Sequence, residues 1–208
     1  MTEAEWLTTD RAPGMLTRVG SFSFRKHFLY GCACCRWVWA ELAPQRRAAV
    51  ELLEGYADGT VPLDAVQQAR DAARSVPLIE GEDRYSEMLV DRALRLVSHS
   101  ATQTLESSLV YLFVNNTPAE QKAQADWMRC IFGNPFRPVT FYPEWRTDTA
   151  VSLARTMYES RDFSAMPILA DALQDAGCDN DDVLAHCRDT ARVHVRGCWV
   201  VDRVLDKA

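Results

Sequence analysis

Apolar residues recur along most of this chain at intervals of three and four, the spacing that gathers them on one face of an α-helix. From about Phe24 to Leu42 they occupy almost every face, which is typical of a helix at the centre of a core. Alternating runs bounded by two-residue hairpin turns, the signature of paired strands, are absent from the sequence. The pattern therefore predicts an all-α fold, a compact multi-helix domain of about eight to ten helices.

Several helix ends can be located from capping residues. Thr117-Pro118-Ala119-Glu120 combines Thr at the N-cap, Pro at the first helical position and Glu three residues after the cap. This capping box predicts a helix that runs to about Ile131. The last helix is predicted from about His194 to Leu205, where apolar residues again follow helical spacing.

Residues 132–146, FGNPFRPVTFYPEWR, interrupt the helical pattern with one glycine and three prolines. The many aromatic residues of this Pro-rich loop predict that it is ordered and packs on the helical body. The loop separates an N-terminal helical part, about 24–131, from a C-terminal helical part, about 147–206. Because no flexible Gly/Ser linker joins the parts, we interpret residues 1–208 as a single composite helical domain.

Composition and charge narrow the function classes. Hydrophobic residues make up 48% and charged residues 25%, as in folded globular proteins, and the net charge of −6 argues against general nucleic-acid binding. No apolar run reaches the roughly 18 residues that a membrane-spanning helix needs. The N-terminus lacks the pattern of a secretory signal, and the seven cysteines are an odd number. Reduced thiols and a cytoplasmic location are therefore expected.

The cysteines carry the most suggestive chemistry. Cys32 and Cys35 form a C-x-x-C in the first long helix, and His194 and Cys198 lie four residues apart in the last predicted helix. If these two helices pack together, the four side chains could bind Zn²⁺. The apolar neighbours of the C-x-x-C favour buried core thiols instead, so no metal or other cofactor is favoured and zinc is the alternative.

Catalytic signatures are missing. The sequence contains no G-x-S-x-G, no H-E-x-x-H and no phosphate-cradling glycine loop, so no catalytic residue is assigned. The leading hypothesis is a protein-protein interaction or regulatory module without catalysis. A zinc-binding structural protein or metalloenzyme is the first alternative. A Cys-dependent hydrolase is the second, because a catalytic triad is defined by geometry that spacing does not reveal.

The Pro-rich loop is the preferred surface for a protein partner, whose identity the sequence does not give. Arginine and aromatic side chains on a rigid backbone have the profile of interface hot spots. The competing interpretation is that the aromatic residues fill the core beneath the loop. Association with a second copy of the chain also stays open. The predicted partner-binding residues are Asn134, Arg137, Tyr142, Trp145 and Arg146.

Several strings resemble a paralogous domain that is abundant in planctomycete bacteria of the Gemmata type. The strings that carry the resemblance are EWL (5–7), GCACCR (31–36), YADG (56–59), IFGNPFRPV (131–139), PILADALQDAGC (167–178) and HCRDTARVHVRGCWVVD (186–202). They span almost the whole chain. The function of that family is unknown, so the resemblance supplies no catalytic residue. It implies a bacterial cytoplasmic module that serves interaction or regulation more than metabolism.

Overall fold

A computed structural model describes residues 1–19, 23–96 and 117–207. The described residues contain eleven α-helices and one 3₁₀ turn and no strand, which confirms the all-α prediction. Within these ranges no helix combines the length and apolarity needed to cross a membrane. In chain order the helices are α1 Glu3–Thr8, α2 Pro13–Val19, α3 Phe24–Trp37, α4 Pro44–Ala57, α5 Leu63–Ser75, α6 Arg84–Arg95, α7 Pro118–Phe132, α8 Asp148–Ser160, α9 Met166–Asp175, α10 Asp181–Arg188 and α11 Trp199–Val204, with the 3₁₀ turn at Pro143–Trp145 between α7 and α8.

The capping box at the start of α7 is confirmed. The backbone N–H of Glu120 donates to Thr117 Oγ1 at 3.3 Å, and the N–H of Thr117 donates to Glu120 Oε2 at 2.7 Å. At the other end, Gly133 ends the helix with φ of 70°, and its N–H donates to the carbonyl of Arg129. A residue with a side chain rarely adopts this left-handed conformation, so glycine defines where α7 stops.

The buried side chains form two clusters. The first gathers side chains from α1 to α7 around residues such as Tyr30 and Leu53. The second gathers α8 to α11 together with Cys130 and Trp145. Val195 packs against both clusters. The Pro-rich loop is ordered on the body as predicted, since Trp145 is buried in the second cluster. The interpretation as a single composite domain remains a prediction.

Ion pairs cross between the two clusters. Arg25 on α3 donates to Asp202 on α11 at 2.6 Å and to Asp58, the residue that follows α4, at 3.1 Å. Arg196 donates to the same Asp58 at 2.7 Å, and so does the hydroxyl of Tyr158 on α8. We call this network, with Glu54 and its arginines, the ionic seam. Its carboxylates are almost fully buried, and it joins the N-terminal helices to the C-terminal ones.

Glu54 is the most heavily paired carboxylate of the ionic seam. Its side chain is only 1% exposed, and it accepts hydrogen bonds from Arg36 at 2.7 Å, from Arg161 and from Arg196 at 3.5 Å. Burial raises the pKa of Glu54, but the hydrogen bonds and charges of Arg36 and Arg161 lower it by more, so the pKa lies below its ordinary value. Glu54 is therefore an ionised group whose charge depends on its partners.

The last helix begins at Trp199, not at His194 as the sequence predicts. The reason is Gly197, which has φ of 92° and cannot lie inside a right-handed helix. A Cβ at Gly197 would lie 2.9 Å from Leu29 Cδ1 on α3, so the backbone passes directly over α3 here. Residues 189–198 therefore form an irregular segment between α10 and α11.

Candidate metal centre

Four side chains from distant parts of the sequence converge beside this irregular segment. Cys130 comes from the last turn of α7, His186 from α10, His194 from the segment itself, and Cys198 from the N-cap of α11. One donor atom of each residue lies within 4.8 Å of the donors of the other three. Gly197 directs the chain so that the segment brings both His194 and Cys198 to this point.

The distances between the donor atoms are close to those around a small tetrahedral ion. His186 Nε2 lies 3.1 Å from Cys198 Sγ, and His194 Nδ1 lies 3.8 Å from Cys198 Sγ and 3.9 Å from Cys130 Sγ. A zinc ion with ordinary Zn–S and Zn–N bonds spaces its ligand atoms about 3.3–3.8 Å apart. Two sulfurs and two imidazole nitrogens are also a common donor set of structural zinc sites.

Burial makes the centre a closed one. Cys130 and Cys198 are fully buried and His186 is 4% exposed, while His194 is half-buried. Four protein ligands complete a tetrahedron and leave no position for water or substrate. The arrangement therefore suits a metal that stabilises structure better than one that activates a water molecule.

The electrostatics of the centre favour a thiolate at Cys198. Burial raises the pKa of the Cys198 thiol, but the hydrogen bond with Cys130 and the contacts with His186 and His194 outweigh it, so the pKa lies well below the ordinary value. Burial raises the pKa of Cys130, and burial lowers that of His186. A thiolate is the protonation state in which Cys198 would bind a transition metal.

A neighbour of the centre fixes the tautomer of His186. The indole N–H of Trp199 donates to His186 Nδ1 at 3.1 Å. Since an indole nitrogen only donates, Nδ1 must be the unprotonated nitrogen, and Nε2 carries the proton that faces Cys198. His194 Nε2 is buried, and no hydrogen-bond partner for it lies among the residues that the structure describes.

Two of the four zinc ligands considered in the sequence analysis belong to this cluster. His194 and Cys198 belong to the cluster, although the turn at Gly197 and not one helix face brings them together. Cys32 and Cys35 lie outside the four-residue cluster, in the middle of α3, where Cys32 Sγ is 3.9 Å from the carbonyl of Val50. Burial raises the pKa of both thiols well above the ordinary value, as expected for core cysteines.

Sequence reasoning missed Cys130 and His186. Cys130 is 64 residues from His194, and nothing in the spacing connects it to a second ligand. His186 is 12 residues from Cys198, and this separation matches no zinc motif. The signal was weak because the last helix was predicted to begin at about His194, inside the irregular segment 189–198.

Two of the predicted partner-binding residues hold the Pro-rich loop against α1. The side-chain amide of Asn134 donates to Glu3 at 2.7 Å, and its carbonyl oxygen accepts from the N–H of Phe136. Arg137 forms an ion pair with Glu3 at 2.6 Å, yet its side chain is 58% exposed. Asn134 is thus occupied within the protein, whereas Arg137 is accessible.

The other three predicted residues lie further along the loop. Trp145 is buried, and the half-exposed Tyr142 packs edge-on against it at a ring-centroid distance of 5.1 Å. Arg146 donates to Asp206 at 2.6 Å and to the carbonyl of Arg203 at 3.0 Å. These contacts show how the loop is fixed to the body, and its role as a partner surface stays a prediction.

No protein-family model matches the chain, and no match was found among curated proteins or among solved structures. The geometry of the chain itself is therefore the basis for assigning a function.

Proposed function

We propose that this chain is a zinc-binding helical protein in which a structural Zn²⁺ is held by Cys130, His186, His194 and Cys198. The observation that supports the proposal is the convergence of two thiols and two imidazoles, all within 4.8 Å of one another. Zn²⁺ fits the mixed sulfur and nitrogen set better than Mg²⁺ or Ca²⁺, which take oxygen ligands.

The metal would link elements that also meet in the second cluster of buried side chains. It would join the end of α7 to α10 and to the first residue before α11, across the irregular segment 189–198. Since a preformed site does not exist in the unfolded chain, the binding free energy of the metal adds to the free energy of unfolding.

We further propose that the metal supports an interaction or regulatory module and not a reaction. The closed ligand set leaves no open position, and the thiol with the lowered pKa, Cys198, is fully buried. Burial also makes a Cys-dependent hydrolase the weaker proposal, because a nucleophile must reach its substrate. The cytoplasmic location, the protein partner at the Pro-rich loop and the kinship with the planctomycete domain belong to this proposal.

Metal analysis of the purified protein tests the zinc assignment. We expect about one zinc per chain, and replacement by Co²⁺ should give the intense visible absorption of a tetrahedral thiolate site. Cys130→Ser and His186→Ala should lose the metal. Cys32→Ala, which removes another buried thiol near neither histidine, is the matched control and should retain it.

A measurement on the wild-type protein, without any variant, can contradict the proposal. Should reconstitution with zinc give no stoichiometric binding and no rise in melting temperature, the centre is not a metal site. Equal loss of zinc from Cys32→Ala and Cys130→Ser would instead assign the metal to different ligands.

A further inference from the structure

The Pro-rich loop and α11 line a cleft beside Trp199. The cleft has a volume of about 160 Å³. A neighbouring depression of about 230 Å³ shares three of its lining residues, Lys26, Trp199 and Arg203. These three side chains therefore lie between two adjoining spaces. Gly133 closes one side of the cleft, where a Cβ would lie 3.2 Å from the indole of Trp199.

Most of the charged side chains that line the cleft are positive. Lys26, Arg137 and Arg203 line it together with one carboxylate, that of Asp182. Arg137 lies 3.7 Å from Asp182 and forms its shorter ion pair with Glu3. The guanidinium of the exposed Arg203 forms no ion pair with any residue that the structure describes.

Lys26 adds a cation that the protein partly encloses. Its ammonium donates to the carbonyl of Ile131 at 2.9 Å, at the C-terminal end of α7. Burial lowers the pKa of Lys26, and the positive charges of Arg203 and Arg25 lower it as well, while Asp202 opposes them. Arg25 is already bound to Asp202 and Asp58. The like charges of Lys26 and Arg203 thus face the same cavity.

We propose that this cleft binds a small molecule through an oxyanion, a phosphate monoester or a carboxylate, held between Lys26 and Arg203. An ammonium and a guanidinium form short, charge-assisted hydrogen bonds with such oxygens, and an anion between them removes their mutual repulsion. Trp199 supplies an apolar wall, and the neighbouring depression has room for the rest of the ligand. Because the main cleft is smaller than a drug-sized pocket, the ligand is a small one.

This inference does not depend on the proposed metal. It is based on charges and cavities, although Trp199 follows the candidate ligand Cys198 directly. Zinc content is measured in every preparation, so that the failure of one proposal is distinguishable from the failure of the other.

Titration with simple probes tests the cleft. Phenyl phosphate, benzoate, inorganic phosphate and neutral benzyl alcohol are added to ¹⁵N-labelled protein, and the indole N–H signal of Trp199 is followed by NMR. We expect saturable shifts with phenyl phosphate or benzoate, and the stronger of the two identifies the oxyanion. Arg203→Ala should weaken binding about tenfold or more, and Arg203→Lys should weaken it less.

The matched control is Arg155→Ala, which removes an exposed arginine of α8 and should leave binding unchanged. Lys26→Met gives a second reading, since it keeps the apolar stem and removes the charge. Saturable binding that Arg203→Ala and Lys26→Met weaken, with Arg155→Ala unaffected, supports the site. Equal shifts with benzyl alcohol, or no shift with any probe in the folded wild-type protein, would overturn it.

Discussion

Trp199 Nε1 donates a 3.1 Å hydrogen bond to Nδ1 of His186, and this bond holds the proton of the imidazole on Nε2, next to Cys198. A metal bound at Nε2 of His186 requires that nitrogen to be unprotonated, so the proton moves to Nδ1. The Nδ1–H of His186 then points at the indole N–H of Trp199, and neither can accept a hydrogen bond from the other. The indole hydrogen bond and the metal are therefore mutually exclusive in this geometry. Ligating histidines usually donate their second N–H to an acceptor, so Trp199 is an unusual neighbour.

Trp199→Phe should therefore bind zinc more tightly than the wild type. The variant has no indole N–H to lose, and a hydrogen bond of this kind contributes about 1 kcal/mol, equivalent to about fivefold in affinity. Competition with a chromophoric chelator measures the dissociation constant. Trp37→Phe, at a half-exposed tryptophan on α3, is the control and should match the wild type. Weaker zinc binding by Trp199→Phe would show that the indole supports the metal-loaded state.

Glu54→Gln should destabilise the fold strongly. The amide keeps the shape of the side chain but leaves Arg36, Arg161 and Arg196 around a neutral group. Removing one partner of a buried ion pair costs about 3–5 kcal/mol. Urea denaturation at neutral pH measures the change in the free energy of unfolding.

The control for this variant lies three residues earlier on the same helix. Glu51 is 56% exposed, and its ion pair with Arg36 is long, at 4.0 Å. Glu51→Gln should therefore change the free energy of unfolding by less than about 0.5 kcal/mol. Similar losses in both variants would mean that the ionic seam contributes no more than a surface ion pair.

The ionic seam also predicts how stability depends on pH. The pKa of Glu54 lies below its ordinary value of 4.5, and the pKa of Asp58 lies below 3.8 because Tyr158, Arg196 and Arg25 outweigh its burial. A lowered pKa gives stability that is present above the ordinary value and is lost as the pH falls through the folded-state pKa. Asp202, whose pKa burial raises, acts in the opposite sense.

Denaturation between about pH 2 and pH 7 measures this dependence. The wild type should lose stability steeply below about pH 4.5, the ordinary pKa of Glu54. The double variant Glu54→Gln, Asp58→Asn should start from a lower value and show a shallower fall. Parallel curves for the two proteins would exclude these carboxylates as the source of the acid sensitivity.

Gly197→Ala should disturb both the fold and the metal centre. The left-handed backbone costs an alanine about 1–2 kcal/mol, and the new methyl group would meet Leu29, which is buried on α3. Gly177→Ala is the matched control, because Gly177 has a similar φ of 88° and open space around it. We expect the control to lose only the backbone contribution and to keep its zinc affinity. Equal destabilisation by the two substitutions would argue against the close approach to Leu29.

Much of the fold follows from local signals in the sequence. Thr117, Pro118 and Glu120 define the start of α7, because capping is decided by residues three positions apart. The first long helix was predicted to reach Leu42, but α3 ends at Trp37 and turns lead to Pro44 at the start of α4. Apolar spacing continued past the helix end, since buried turn residues such as Val38 and Leu42 resemble helical core residues.

The candidate centre could be predicted only in part, because it depends on tertiary contacts. His194 and Cys198 were recognisable as a close pair. Cys130 reads as an ordinary core thiol, and only the packing of α7 against the 189–198 segment brings it to them. Gly197 is a residue that helix interiors disfavour, and it indicated that the last helix begins after it. Its importance depends on the approach to Leu29, which no local pattern encodes.

The ionic seam has a consequence for the outside of the molecule. In the described part of the chain it pairs three carboxylates with five basic side chains, those of Arg25, Arg36, Arg161, Arg196 and Lys207. The seam therefore contains more positive than negative charges. Because the net charge of the whole protein is −6, the rest of its surface is more acidic than that number suggests. Copies of the protein should repel one another over most of their surface at low ionic strength, and approaching anions should be turned away everywhere except near local basic clefts.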